Sequence, residues 1–82
     1  MKYRRKSIVV EAIQFTEEMI RNRSYPDYVV VEWGAFGSVR FFLQTLEGEM
    51  EIKVGDWLIT EDDGEHYQCK PDVFKKIYEE EK

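Results

Sequence analysis

The sequence is poor in the residues that most often carry chemistry, with one cysteine, one histidine and two prolines among 82 residues. A single cysteine cannot form an internal disulfide, which is typical of proteins in a reducing compartment. Cys69 and His66 are too few ligands for a structural zinc site. No metal or other cofactor is therefore expected.

Long apolar runs are also missing. No stretch approaches the roughly 18 apolar residues that span a bilayer. The basic start leads into Val-Val-Glu without the apolar core of a signal peptide. We expect a soluble protein with a cytoplasmic location and no membrane partner.

Positive charge is scarce, since the chain has 12 lysines and arginines but 17 aspartates and glutamates, and its net charge is −5. Nucleic-acid binding needs several convergent cations to neutralise phosphates, and an acidic protein is repelled at long range. Direct sequence-specific nucleic-acid binding is therefore not expected. The four cations at positions 2–6 are interpreted as a solvated lead-in to a strand.

The chain does have apolar and aromatic side chains, at 43% and 15% of its residues. This content predicts a packed globule rather than a disordered tail. A chain of this length forms one domain, residues 1–82, and buries roughly 60% of the surface that the unfolded chain exposes.

The C-terminal half has the clearest local patterns. Residues 57–60 and 66–69 alternate as two strands, and Asp63-Gly64 between them is typical of a hairpin turn. Gly55-Asp56 predicts a second tight turn. A helix starts at Pro71, and Phe74, Ile77 and Tyr78 form its apolar stripe. The structural motif of this half comprises Gly55, Asp56, Trp57, Tyr67, Cys69, Pro71, Asp72, Phe74 and Tyr78.

The N-terminal half predicts further strands. Residues 7–15 are apolar at both odd and even positions, which favours a central strand covered on both faces or the start of a barrel. A short helix capped by Thr16 follows at 17–23, and strands are predicted at 28–33, 39–46 and 50–54. The fold class is α+β, a small antiparallel β-roll or partly open barrel of about six strands. The early helix is short, and the C-terminal helix closes one end.

Cys69 is the most reactive residue type in the chain. It lies beside Lys70 and near a helix start, a setting that can stabilise a thiolate. Strand alternation sends His66 to the opposite face, so a cysteine–histidine pair is not expected. We interpret Cys69 as a small apolar plug beside Trp57, Tyr67 and Phe74, and assign no catalytic residue.

Acidic residues crowd the turns at 47–51 and 61–65 and the end at 79–81. Asp62-Asp63-Gly64-Glu65 lacks the full calcium-loop pattern, so charged hairpin tips that oppose edge pairing are the simpler interpretation. A cation-dependent hydrolase that uses these carboxylates remains an alternative.

Aromatic residues suggest a binding surface. A small sheet cannot bury all of its rings, and the glycine-flanked segment 34–37 carries several of them nearby. Exposed tryptophan and tyrosine are common interface anchors. The candidate binding residues are Tyr25, Tyr28, Trp33, Phe36, Glu65 and His66, and ordinary partial exposure of the rings is the alternative.

Four stretches carry a family resemblance. They are K-Y-R-R-K-S-I-V-V-E-A-I-Q-F (2–15), T-L-E-G-E (45–49), V-G-D-W-L-I (54–59) and G-E-H-Y-Q-C-K-P-D-V-F-K-K-I-Y-E (64–79). Together they resemble a family of small uncharacterised bacteriophage and prophage proteins. Ser7 and Gln68 stand where members usually carry proline, and the loop at 61–63 is more acidic. The resemblance implies a phage origin and a shared fold, but no catalytic residues.

Two functions from different classes follow. One is a non-enzymatic, phage-derived accessory protein that binds a host protein and inhibits it, or sequesters a small signalling molecule, as in counter-defence. The alternative is a structural homo-oligomer of the virion or of its assembly. An enzyme is not expected, because no nucleophile–base pair or metal set is present.

Overall fold

The computed structural model describes residues 10–78, which form six strands and two helices. Thr16 caps the first helix by accepting a hydrogen bond from the Met19 N–H, and Pro71 opens the second, as predicted. The elements are β1 (Glu11–Gln14), α1 (Glu17–Asn22), β2 (Val29–Trp33), β3 (Val39–Thr45), β4 (Gly48–Ile52), β5 (Trp57–Thr60), β6 (His66–Cys69) and α2 (Pro71–Ile77).

The strands form two antiparallel sheets of three strands each. The β5 sheet has the order β1-β5-β6, and the β3 sheet has the order β2-β3-β4. Both sheets are open, and no strand pairing joins them within residues 10–78, so a single six-stranded barrel is not what the chain forms. The α+β class and the antiparallel pairing are as predicted.

The core lies between the two sheets. Phe15 and Leu58 from the β5 sheet side pack with residues of the β3 sheet, and the rings of Phe15 and Phe41 are 5.2 Å apart. Leu43 is completely buried. The buried cluster comprises Phe15, Val29, Phe41, Leu43, Ile52 and Leu58.

The prediction of a central strand at residues 7–15 is wrong for its described part. Among the strands of residues 10–78, β1 lies at a sheet edge and pairs with β5 alone, and its side chains alternate between exposed and half-buried. β5 is the strand covered on both faces, since Leu58 and Ile59 are both buried. An apolar run shows that a strand can be buried on both faces. Which strand lies at the centre of the sheet depends on its pairing partners. Residues 7–9 lie outside the described residues.

The second helix docks on the outer face of the β5 sheet instead of closing the end of a barrel. Trp57 points away from the core residue Leu58 because neighbouring strand residues face opposite sides. The ring of Phe74 stacks on Trp57 at 4.1 Å, and Tyr78 stacks on Phe74 at 5.0 Å. Ile77 is 55% exposed, so the predicted apolar stripe is narrower than its spacing indicated. The acidic end at 79–81 lies outside the described residues.

Candidate functional site

Phe36 forms the end of the hairpin between β2 and β3. The loop is closed by two hydrogen bonds, from the Gly34 N–H to the Ser38 carbonyl at 2.8 Å and from the Ser38 N–H to the Ala35 carbonyl at 3.1 Å. Phe36 has φ 57° and ψ 32°, a left-handed conformation that is unusual for a bulky residue. Its side chain is fully exposed. The loop therefore holds a strained residue whose ring packs against nothing.

Trp33 is the second exposed aromatic residue at this end of the hairpin. It follows Val29 and Val31 on the core-facing side of β2 and pairs with Val39 on β3. Val31 and Val39 still pack against the core, but Trp33 is 71% exposed. The apolar face of the β3 sheet thus continues past the core, and its last residue on β2, Trp33, is left exposed to solvent. We call Trp33 and Phe36 the aromatic tip.

The other two candidate aromatic residues lie away from the aromatic tip. Tyr25 meets Phe41 edge-on at 5.7 Å and belongs to the margin of the core. Tyr28 stacks on His66 at 3.8 Å, with an angle of 13° between the rings. The four aromatic residues that the sequence grouped are therefore separated in the fold. Tyr25 and Tyr28 pack on Phe41 and His66, and only Trp33 and Phe36 face solvent.

His66 has a structural setting. Besides its stack on Tyr28, its Nδ1 lies 3.0 Å from the Thr60 hydroxyl. The neighbouring Glu65 donates its backbone N–H to Asp63 and accepts one from Glu61 through its carbonyl oxygen. His66 joins the two sheets and Glu65 closes the turn, so both candidates contribute to the scaffold. The sequence could not show the Tyr28–His66 contact, because Tyr28 precedes β2 and His66 opens β6, far away along the chain.

The Gly55-Asp56 turn is a buried polar junction. Asp56 is 2% exposed and accepts the Lys53 N–H at 2.9 Å, while the Lys70 Nζ lies 3.7 Å from its other oxygen. With its amide nitrogen facing acceptors, Gln68 donates to Asp56 at 3.3 Å and to the Glu51 carbonyl at 2.9 Å. This contact links β6 to β4, so the junction helps to position one sheet on the other. Of the predicted structural motif, Asp56 is part of this junction, whereas Gln68 and Glu51, which link the sheets, were not named in the motif.

Cys69 lacks the setting of a nucleophile. Burial raises the pKa of its thiol, and the carboxylates of Asp72 and Asp56 raise it further. Cys69 pairs with Trp57 in the strand register, on the face that carries Phe74. His66 lies on the opposite face of β6, as alternation predicts. Burial and the nearby carboxylates therefore both disfavour the thiolate form of Cys69.

Arg40, Glu51 and Lys53 form a cluster of ion pairs on the surface. Arg40 donates to both carboxylate oxygens of Glu51 at 3.2 Å and lies over the Phe42 ring, while Lys53 reaches Glu51 at 3.3 Å. These contacts, chiefly the hydrogen bond from Arg40, lower the pKa of Glu51. Within residues 10–78, no group of three or more histidine, cysteine, aspartate or glutamate side chains is placed to hold a metal ion.

No protein-family model, curated protein or solved structure matches the chain. No helix in the described part, residues 10–78, has both the length and the apolar character needed to cross a membrane. Trp33 and Phe36 place exposed aromatic surface at the end of the β2–β3 hairpin.

Proposed function

We propose that the protein acts by binding a partner protein through the aromatic tip. The observation that carries this proposal is the exposure of Trp33 and Phe36 at one end of a two-stranded hairpin. Large exposed aromatic side chains lose little conformational entropy on binding and bury much apolar area, so they commonly anchor interfaces.

The strain at Phe36 supports the same proposal. A non-glycine residue in the left-handed region costs about 1 kcal/mol or more, and the ring makes no contact that would offset this cost. Strained residues cluster where a surface has a task besides folding. A phenylalanine that is unfavourable for the isolated fold is expected where it contributes to binding.

A protein partner fits the tip better than a small molecule does. Small-molecule sites are concave and enclose most of their ligand. The tip lies at the end of a hairpin, where its two rings can enter a hollow on another surface. With the phage resemblance, we propose a host-protein inhibitor that acts in the bacterial cytoplasm, as in counter-defence. The two sheets, linked by Gln68 and the Tyr28–His66 stack, serve as a partly open roll that presents the tip.

Affinity capture in the host with matched variants tests this proposal. The intact protein is compared with the double variant Trp33→Ser/Phe36→Asn and with Val54→Ser, which changes a half-exposed apolar residue outside the tip. We expect a host protein to be captured by the wild type and by Val54→Ser, and lost from the double variant. Equal recovery with all three proteins, or no captured protein, would contradict the proposal. Thermal-shift screening with nucleotides separates it from sequestration of a small molecule.

A structural homo-oligomer is the second candidate, and the open edge of β1 favours it. Within residues 10–78, β1 pairs with β5 alone, and Ile13 on it is 38% exposed. Edge strands with exposed apolar side chains can pair with a second copy. Sedimentation of the purified protein decides between the two functions, because assembly of the virion requires a defined oligomer in isolation or attachment to particles.

A further inference from the structure

A second apolar surface lies between the β3–β4 turn and β6, away from the aromatic tip. Leu46, Met50 and Tyr67 are 72%, 39% and 37% exposed and line a cleft of about 400 Å³. We call this cleft the side groove. Its other lining residues are Thr45, Glu47 and Gln68.

The walls of the side groove are held in place by hydrogen bonds. The Thr45 hydroxyl donates to the Gly48 carbonyl at 2.8 Å and accepts the Glu47 N–H at 3.1 Å, which fixes the turn that carries Leu46. On the opposite wall, Gln68 bonds to the Glu51 carbonyl of β4. The groove is therefore formed before any partner arrives, which reduces the entropy lost on binding.

Among residues 10–78, the charged groups that act on the side groove are acidic. Glu47 lies on its rim. Burial raises the pKa of Tyr67, and so do four carboxylates, those of Glu61, Asp63, Glu65 and Glu47. Every charged group that shifts the Tyr67 pKa is an acid. The apolar floor thus lies inside a negative field, which attracts cations and repels anions.

We propose that the side groove binds a short basic segment of a partner protein, with apolar side chains against Leu46 and Met50 and lysine or arginine against the acidic rim. Charge complementarity selects this occupant, because an acidic or phosphorylated segment would meet repulsion from Glu47 and from the turn at 61–65. Tyr67 adds an aromatic surface that suits an arginine or an aliphatic stem. The surface is separate from the aromatic tip, so either can bind without the other.

Fluorescence anisotropy with three synthetic peptides tests the proposal. In the first, leucines are flanked by lysines; in the second, glutamates replace the lysines; in the third, serines replace the leucines. We expect the full-length protein to bind the first peptide, more weakly as salt is raised, and neither of the others. Leu46→Ser/Met50→Gln should weaken this binding about tenfold or more, and Glu47→Gln about twofold to fivefold.

Matched variants keep the outcome interpretable. Val54→Ser and Glu18→Gln change an apolar and an acidic surface residue outside the side groove and should leave peptide binding unchanged. Trp33→Ser/Phe36→Asn should also retain it, so failure of the aromatic tip and failure of the side groove are distinguishable. Circular dichroism of each variant checks that the fold is kept.

Other outcomes would overturn the proposal. It fails if the glutamate peptide binds equally well, if the double variant binds like the wild type, or if no peptide binds. A dimer that Leu46→Ser/Met50→Gln dissolves would identify a second copy as the occupant. Peptide binding that appears only after the cations at positions 2–6 are changed to glutamine would identify the chain's own start.

Discussion

At the scale of single residues, Phe36 and Cys69 show how the surroundings of a side chain decide its role. Phe36 has a backbone conformation that suits glycine or asparagine, yet it carries a large ring into solvent. Cys69 has a helix start beside it, yet burial and two carboxylates raise its pKa. The first residue is unfavourable for folding, which is why we propose a binding role for it. The second contributes packing and is poorly suited to chemistry.

Phe36→Asn is expected to stabilise the protein by about 0.5 kcal/mol, because asparagine tolerates the left-handed region and no packing is lost. Urea denaturation measures the change. Gly37→Ala is the matched control: a methyl group there meets no atom within 4 Å, but φ is +76°, so the variant should lose about 1 kcal/mol. A destabilised Phe36→Asn protein would show that the ring supports the fold.

The Cys69 thiol is expected to titrate at higher pH in the folded protein than in the unfolded chain. Because its folded pKa is raised, its contribution to stability is complete below the unfolded pKa and is lost as pH rises through the folded pKa. Thiolate absorbance with and without urea measures both pKa values, and Cys69→Ser supplies the blank. A native pKa at or below the unfolded one would restore the case for a reactive cysteine.

At the scale of elements, stacked aromatic rings hold α2 on the β5 sheet. Phe74 stacks on Trp57, and Tyr78 extends the stack, whereas Val73 and Ile77 are largely exposed. Seven residues are too few for a helix to be stable by itself in water. The helix therefore depends on this stack for its place on the sheet.

Phe74→Ala is expected to destabilise the protein by about 2 kcal/mol, because it removes the half-buried ring that stacks on Trp57. Ile77→Ala should change stability by less than about 0.5 kcal/mol, since Ile77 is exposed. Thermal denaturation of both variants measures the loss of stability at two positions of the same predicted apolar stripe. Equal losses at the two positions would mean that α2 is covered along its whole length.

At the scale of the whole molecule, the two sheets depend on one shared core. Each sheet has three strands and one face that needs cover. Leu43 from the β3 sheet and Leu58 from the β5 sheet belong to the same buried cluster. Neither sheet is expected to keep its structure after losing the other.

Leu43→Ala is expected to lower stability by about 3 kcal/mol, because Leu43 is fully buried and its removal leaves a cavity. Hydrogen exchange should show the same loss of protection in β3 and in β5, since both unfold together. Glu18→Gln on the surface is the control. Full protection of β5 in the Leu43→Ala protein would show that the two sheets are separate folding units.

Much of the local structure was predictable, because its causes lie within a few residues of one another. Thr16 caps α1, Asp63-Gly64 turns the β5–β6 hairpin, and Pro71 starts α2. The division of the strands into two sheets was not predictable in this way. A period of two describes the faces of a strand and leaves its neighbours in the sheet undetermined.

The sequence predicted which residue types form the candidate site, but it did not predict which of these residues lie together. Too many rings for a small core meant that some had to be exposed, and Trp33 and Phe36 were among the candidates. Tyr28 and His66 were named as well, yet they face each other between the sheets. Leu46 and Met50 were not predicted as binding residues, since their groove is completed by Tyr67 from another sheet.

By itself, the sequence determined the strands, helices, turns and acidic charge of this protein, because these depend on residue chemistry and short-range geometry. Only the tertiary structure decided that β5 is central, that α2 covers the outer face of the β5 sheet, and that Trp33 lies past the core and is exposed. The physical reason is that burial is a property of pairs of surfaces. A side chain becomes core or interface according to what the rest of the chain places opposite it.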